Sequence, residues 1–253
     1  MLHPIIVVCL VIIGVLLVIL LIGFFFYPTG YKTDLSKEST STSVQDSIIS
    51  MSESGKIYQE GTCTIDNPDT RVLLDMLVGE LPDQGSEQEK IDKVVGGWKQ
   101  LWSDAVYSVP TGGPCTDSDQ VYQVVFPTTD GMTDIGSEGF YYNIGKVILN
   151  GQVFTDYLRG EYTIQADGLA IKFTNQFVEP GFPAAGTDLI LLANEAELSK
   201  ENHSAASTAT YPVGQTGTLN DVYVDKMLRI ALGTGASLSG ESLYVLERTN
   251  VIE

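Results

Sequence analysis

An uncharged run from Ile5 to Tyr27 is the feature that most constrains this chain. Its 23 residues are mainly Ile, Val, Leu and Phe, with no Asp, Glu, Lys or Arg. A helix of that length spans about 35 Å, against a bilayer hydrocarbon core of about 30 Å. The run therefore predicts a single-pass transmembrane anchor within residues 1–31, with the rest of the chain tethered to a membrane.

A cleaved secretory signal is the alternative reading of this run. Such a signal needs a basic start, a shorter apolar stretch and a small-residue cleavage site. The chain instead begins Met-Leu-His-Pro, and aromatic residues fill Phe24–Tyr27 at the exit of the run. We therefore favour a retained anchor, with membrane lipids as its partners.

The side of the membrane that the remaining chain occupies stays open. Lys32 and Lys37 come after the run, and the positive-inside tendency would keep that end cytosolic. Two features point instead to an oxidising compartment: a disulfide that Cys63 and Cys115 could form, and the glycosylation sequon that begins at Asn202. Each of these signals also arises by chance.

Length and charge constrain the part of the chain beyond the anchor. About 225 residues remain, enough for one domain of ordinary size and a linker. The net charge of −18 at pH 7 repels phosphates, so we expect no nucleic-acid partner. We predict a Ser/Thr-rich linker over residues 32–56 and one domain over residues 57–253.

The linker prediction rests on polarity. Residues 32–56 carry the run Ser39–Ser43 and few large apolar side chains, so they bury too little surface to order themselves. Ile48, Ile49 and Met51 are the exception, an apolar patch able to form a helical turn against the domain.

Two helices are expected at the start of the domain. Asn67 can cap a helix that has Pro68 at its first position. Its apolar stripe would comprise Val72, Leu73, Met76, Leu77 and Leu81. A Ser86-x-x-Glu89 capping box predicts a second helix that ends before Gly96 and Gly97.

From Trp98 onward the pattern is typical of β-strands, with Val, Ile, Tyr, Phe and Thr in short segments between turn residues. Asn150-Gly151 and Asp167-Gly168 predict two-residue hairpins. Consecutive antiparallel strands without exposed edges predict a closed barrel. The predicted strands are Trp98–Tyr107, Gln120–Phe126, Gly139–Leu149, Gln152–Leu158, Gly160–Ala166, Leu169–Asn175, Leu189–Ala193, Thr218–Val224, Met227–Leu232 and Ser242–Arg248.

Three segments resemble motifs of the plastid lipid-associated protein family, also called fibrillin. Gly97–Ser103 reads Gly-Trp-Lys-Gln-Leu-Trp-Ser and is similar to the opening motif of that domain. Leu219–Ile230 and Ser242–Arg248 are similar to its closing motif. The resemblance covers roughly Asn67 to Arg248 and implies a mainly β, lipocalin-like antiparallel barrel after a short helical pair. It also implies binding of lipid or another small hydrophobic molecule at plastid or thylakoid membranes.

A barrel of about eight strands can hold one apolar ligand. The residues that would line its cavity are Trp98, Trp102, Phe140, Tyr142, Phe154, Phe173, Phe177 and Tyr244. Alternatively, these side chains fill a solid core. The closing motif contributes four polar residues to a structural latch or to the barrel mouth: Tyr223, Asp225, Arg229 and Arg248.

The sequence does not favour an enzyme. Its two histidines are His3 and His203, and no phosphate-binding loop, dinucleotide fingerprint or metal motif is present, so we expect no catalytic residue, metal or cofactor. The leading hypothesis is a membrane-anchored binder of lipid or another hydrophobic molecule. The alternative is a structural or scaffold subunit of a membrane assembly with protein partners, such as a photosynthetic complex, lipid-body coat or virion.

Overall fold

The computed structural model describes residues 35–54, 68–82, 90, 93–105, 116–127, 138–149, 151–165, 168–200, 213–235 and 240–253. The chain divides into two compact units, residues 1–40 and 41–253. Only the start of helix α1 is described in the first unit. The barrel and the side chains packed on it belong to the second.

The described elements are α-helices and antiparallel strands. The helices are α1 (Leu35–Ser54), α2 (Pro68–Val78) and α3 (Leu189–Ser199), the last lying between β5 and β6. The strands are β1 (Gly96–Ser103), β2 (Thr116–Pro127), β3 (Glu138–Leu149), β4 (Gln152–Gln165), β5 (Gly168–Pro180), β6 (Thr216–Val224), β7 (Leu228–Gly235) and β8 (Ser242–Arg248).

The eight strands form a closed barrel in chain order. Each strand pairs antiparallel with the next, and β8 closes on β1 through pairs such as Trp98 with Arg248. Closure leaves no free sheet edge, which is the physical reason for expecting a barrel from many consecutive short strands. The mainly β class and the antiparallel barrel are thus confirmed.

The hairpin predictions differ in their outcome. Leu149 pairs with Gln152, as the Asn150-Gly151 turn requires, and Gly151 has a φ of 77°. In the next hairpin Gln165 pairs with Gly168, so the connection is one residue earlier than predicted. Gly168 opens β5 with a φ of 144°, and a Cβ there would lie 2.1 Å from the carbonyl oxygen of Leu219.

Two strand predictions are wrong. The predicted break between Gln152–Leu158 and Gly160–Ala166 is absent, because Gln152–Gln165 is one continuous strand, β4; Ala166 lies outside the described residues. Leu189–Ala193 is the start of helix α3, whose N-cap residue Asp188 accepts a hydrogen bond from the Leu191 amide at 2.8 Å. Leu189, Ala193 and Ala196 are buried along one helix face, a spacing that the apolar run concealed.

Among the described residues, three hydrophobic clusters build the domain. The interior cluster fills part of the barrel and includes Trp98, Tyr141 and Leu246. The first outer cluster packs α1 and α2 onto the outer face of β1, β6, β7 and β8. The second outer cluster packs α3 and Ile252 onto the outer face of β2–β5. Helices therefore cover the barrel wall on two sides.

Most of the segment predicted as a linker, residues 32–56, is helix α1 in the structure. Val44 and Ile48 are buried in the first outer cluster, and Ile49 and Met51 pack against it. The expected helical contact of Ile48, Ile49 and Met51 is therefore present, within a 20-residue helix rather than a single turn. The second compact unit accordingly begins at Ser41, inside the predicted linker.

Helix α2 begins at Pro68 as predicted, but only part of the predicted stripe faces the barrel: Leu77, and Leu81 just after the helix, pack against the first outer cluster. Thr70 and Leu74 are buried, whereas Val72, Leu73 and Met76 are 59%, 45% and 64% exposed. The barrel wall therefore covers the face that contains Thr70, Leu74 and Leu77, which overlaps the predicted stripe only in part.

Several predictions fall outside the described residues: the anchor Ile5–Tyr27, the Ser86–Glu89 capping box, both cysteines Cys63 and Cys115, and the sequon at Asn202. Among the helices that are described, none has the length and apolar character needed to cross a bilayer.

Candidate functional site

The barrel interior is defined by the strand register, because directly paired residues share a face and faces alternate along a strand. Of the predicted cavity residues, the register turns inward Trp98, Phe154, Phe173 and Tyr244. It turns outward Trp102, Phe140, Tyr142 and Phe177. The predicted aromatic lining is therefore divided between the two sides of the wall.

A β-bulge turns Trp102 outward. The register between β1 and β8 shifts between Gln100 and Trp102, so Leu101 is an extra residue and alternation is interrupted. Leu101 and Trp102 are both buried in the first outer cluster beneath the helices. Strict alternation would have placed Trp102 on the same face as Trp98.

Phe140 and Tyr142 lie on the outer face of β3, near helix α3. The Tyr142 hydroxyl donates to Glu197 Oε2 at 2.7 Å, and the Arg159 guanidinium lies 4.5 Å from the centre of the Phe140 ring. Burial, and then the Glu197 carboxylate, raise the pKa of Tyr142 far above its ordinary value. These two residues help to hold α3 on the barrel.

Glu197 is the centre of this outer contact. Its carboxylate accepts from Arg159 Nε at 2.7 Å, from Tyr142 and from Lys200. Burial favours the protonated carboxyl, but hydrogen bonds from Arg159, Lys200 and Tyr142 outweigh it and hold the pKa of Glu197 below its usual value. The cluster joins α3 to the wall through charge-assisted hydrogen bonds.

One end of the barrel is closed by Trp98 and Arg248. The Arg248 guanidinium stacks 3.9 Å from the Trp98 ring centre and donates to the carbonyl oxygens of Lys93 and Val95. Val94, just before β1, packs into the interior cluster. Burial, followed by repulsion from the nearby Arg229, lowers the pKa of Arg248.

Polar side chains cross the interior next to this closed end. Arg229 Nε donates to Asp221 Oδ1 at 2.6 Å, and both side chains are almost wholly buried. Arg229 Nη1 reaches from β7 to Gln123 Oε1 on β2 at 3.3 Å. Opposite Gln123 on β3, Asn143 accepts a hydrogen bond from the Tyr141 hydroxyl at 2.8 Å. We call these five residues the polar layer.

The polar layer contains an unused donor. Among the described residues, Arg229 Nη2 has no hydrogen-bond partner, although it is buried. A buried charged donor without a partner is costly, and native interiors normally supply one. The position therefore calls for an acceptor from a bound molecule or a water.

A second interior pair lies on β4 and β5. Gln176 Nε2 donates to both carboxylate oxygens of Asp156 at 3.0 Å. Burial raises the pKa of Asp156 to about 6, although the Gln176 hydrogen bond opposes this shift. Within the described part of the chain, Gln176 Oε1 and the Tyr162 hydroxyl have no partner. Burial raises the pKa of Tyr162 to about 12.

No protein-family model matches the chain, and neither curated proteins nor solved structures give a significant match. The fibrillin resemblance therefore stays a prediction. The function of the site is interpreted from its geometry.

The predicted latch residues separate into two groups. On the outer side, Gln45 Nε2 of α1 donates to the Tyr223 hydroxyl at 2.5 Å and to Asp225 Oδ2 at 2.6 Å. Asp225 Oδ1 also accepts the amides of Met227 and Leu228 at 2.8 Å, which caps the β6–β7 turn. Arg229 pairs with Asp221 rather than with Asp225, and it lies with Arg248 inside the barrel.

Sequence reasoning missed the interior polar residues Gln123, Asn143, Asp156, Gln176 and Asp221. The sequence of β3 does contain a signal for polar residues on one face: Tyr141 and Asn143 share one face of the strand, and Ile144 lies on the other. Alternation alone could not say which face is inside. Among the described residues, no group of three or more His, Cys, Asp and Glu side chains is placed to hold a metal.

Asp156→Asn is expected to flatten the pH dependence of stability between about pH 4 and 6. The folded pKa of about 6 exceeds the ordinary 3.8, so the folded state binds more protons in that window and the unfolding free energy falls as pH rises through it. Across this pH window, the free energy of unfolding of the wild type falls by about 3 kcal/mol at most. Urea unfolding of the wild type and of Asp156→Asn from pH 4 to 8 measures this pH dependence. Parallel curves of unfolding free energy against pH for the two proteins would contradict the prediction.

Proposed function

We propose that this chain is a membrane-anchored, non-enzymatic binder of lipid or another small hydrophobic molecule, which its barrel holds inside. The observation that carries the proposal is that a few polar side chains, those of the polar layer and of the Asp156–Gln176 pair, lie among the apolar side chains of the interior cluster. Ligand sites combine apolar walls with a few placed polar groups. Buried polar atoms without partners at Arg229 and Gln176 support a site that a ligand completes.

The architecture supports a container with one closed end. An eight-stranded barrel is wide enough for interior side chains or one small ligand. Trp98, Arg248 and Val94 fill the end where β1 begins. Phe154 faces inward near the β3–β4 hairpin at the other end and is only half-buried. A ligand that enters past Phe154 would meet the Asp156–Gln176 pair before the polar layer.

The membrane location in this proposal comes from the sequence. The apolar run Ile5–Tyr27 would act as the anchor, and membrane lipids would be both its surroundings and the nearest source of ligand. A plastid or thylakoid location rests on the fibrillin resemblance alone.

Phe154→Ala is expected to weaken retention of the bound molecule about tenfold, which corresponds to a lost contact of about 1.4 kcal/mol. Phe126→Ala is the matched control, because Phe126 is also a half-buried strand phenylalanine but faces outward against Phe140. The full chain would be purified from a lipid-containing host and examined by native mass spectrometry with lipid extraction. Lipids that associate with the anchor affect both variants equally. Equal retention by the two variants, or a wild-type barrel that is always empty, would contradict the proposal.

A second candidate function is a structural subunit of a membrane assembly. The observation that favours it is the exposed apolar face of α2, formed by Val72, Leu73 and Met76. Contiguous exposed apolar side chains are typical of protein contact sites. A wild-type barrel that proves empty by native mass spectrometry would favour this function and direct the search to protein partners.

A further inference from the structure

We infer that the bound molecule carries a carboxylate head group, which the Arg229 guanidinium receives at the polar layer. The inference rests on the proposed function and specifies its ligand as a long-chain carboxylate rather than a neutral lipid.

Hydrogen bonds hold the Arg229 guanidinium in place and use two of its three nitrogens. Its Nε contacts Asp221 on the neighbouring strand β6, and its Nη1 contacts Gln123 on the other side of β8 and β1. These two contacts hold the group within the interior and fix its plane. The remaining nitrogen, Nη2, has no partner among the described residues and is fully buried. Because Nε and Nη1 are already used, Nη2 offers its N–H groups as a single-nitrogen site, and an ionised carboxylate oxygen makes a stronger hydrogen bond to it than a neutral oxygen does.

The charge around Arg229 also favours an anion. Arg248 is close enough for its pKa to be lowered by the positive charge of Arg229. Arg248 itself is held by two backbone carbonyl oxygens and the Trp98 ring rather than by Asp221. The buried Arg229 guanidinium and the partly buried Arg248 guanidinium are therefore neighbours, and Asp221 is the acidic contact of Arg229. A ligand carboxylate would reduce their repulsion, which a neutral head group could not do.

The apolar surroundings fit the tail of such a molecule. The interior cluster includes Trp98, Phe173 and Tyr244, and the Phe173 ring packs edge-on against Tyr141 of the polar layer. A buried cation in the same interior as this apolar and aromatic cluster provides both parts of an amphipathic site.

The test compares two probes of equal chain length on the full protein: oleate, and oleyl alcohol, which lacks the charge. Binding is followed by the rise in melting temperature and by competition with a fluorescent probe. The wild type is expected to bind oleate at least about tenfold more tightly, equivalent to about 1.4 kcal/mol. The double variant Arg229→Met/Asp221→Asn removes both charges together and is expected to bring the ratio to about one.

The matched control is the double variant Arg159→Met/Glu197→Gln. It removes a similar buried ion pair on the outer face of the same barrel and is expected to leave the oleate preference intact. The wild-type ratio is informative even if the first double variant does not fold. A wild-type ratio near one, or an unchanged ratio in Arg229→Met/Asp221→Asn, would overturn the inference and indicate a water at Nη2. If the wild type binds neither probe, the proposed function itself fails.

Discussion

Arg229→Met is expected to lower the free energy of unfolding by about 3–5 kcal/mol, because it leaves the Asp221 carboxylate buried without its cation. The ion pair is 2.6 Å long and both side chains are inaccessible to solvent, so water cannot replace the guanidinium. The lost contact to Gln123 adds an unsatisfied amide. Urea unfolding at pH 7, followed by tryptophan fluorescence, measures the change.

The double variant tests whether the loss in Arg229→Met comes from leaving one charge buried without its partner. Arg229→Met/Asp221→Asn is expected to recover most of the loss, since replacing a whole buried pair is often close to neutral. Asp221→Asn alone should be destabilising as well. Additive single effects would mean that the two charges do not interact, in conflict with their geometry.

Trp102→Ala is expected to destabilise the fold by about 3–5 kcal/mol, the range for removing a large buried aromatic side chain. Trp102 is buried between the barrel wall and the helices, in the first outer cluster with Val44, Ile48 and Leu74. Its removal would leave a cavity that the closed wall cannot collapse to fill. Chemical denaturation measures the loss, and loss of α1 packing should appear as faster amide exchange in Val44–Ile48.

Trp102→Phe is the control for this prediction. Among the described residues the Trp102 indole nitrogen has no hydrogen-bond partner, so phenylalanine loses volume but no polar contact. It should therefore cost clearly less than alanine. In ligand binding, Trp102→Phe should equal the wild type because the ring faces away from the interior. A folded Trp102 variant with impaired binding would contradict the outward placement.

The sequence predicted the strands well where turns and alternation agree. Gly139–Leu149 lies within β3, and the Asn150-Gly151 turn joins it to β4 as expected, because local backbone preference decides both. The same local rules failed at Leu189–Ala193. That run is apolar on every side, and the choice of helix depends on Asp188 and on the wall against which α3 packs.

The candidate site was less predictable than the fold. Bulges at Leu101 and between Asp221 and Tyr223 reverse the alternation, so Trp102 and Tyr223 face outward while Trp98 and Asp221 face inward. A bulge has no reliable local signature. The four predicted aromatics on the wrong side of the wall result either from a bulge or from the unknown choice of the inner face.

The sequence by itself determined the antiparallel barrel, because period-two patterning and turn residues act over a few neighbouring positions. It also determined the acidic surface and the apolar run that predicts an anchor. Only the tertiary structure decided which side chains enter the barrel. Arg229 meets Gln123 across 106 residues of chain, and only the closure of β8 on β1 brings the two strands to opposite sides of one interior. Such a contact depends on the accumulated register of all eight strands, which no local pattern records.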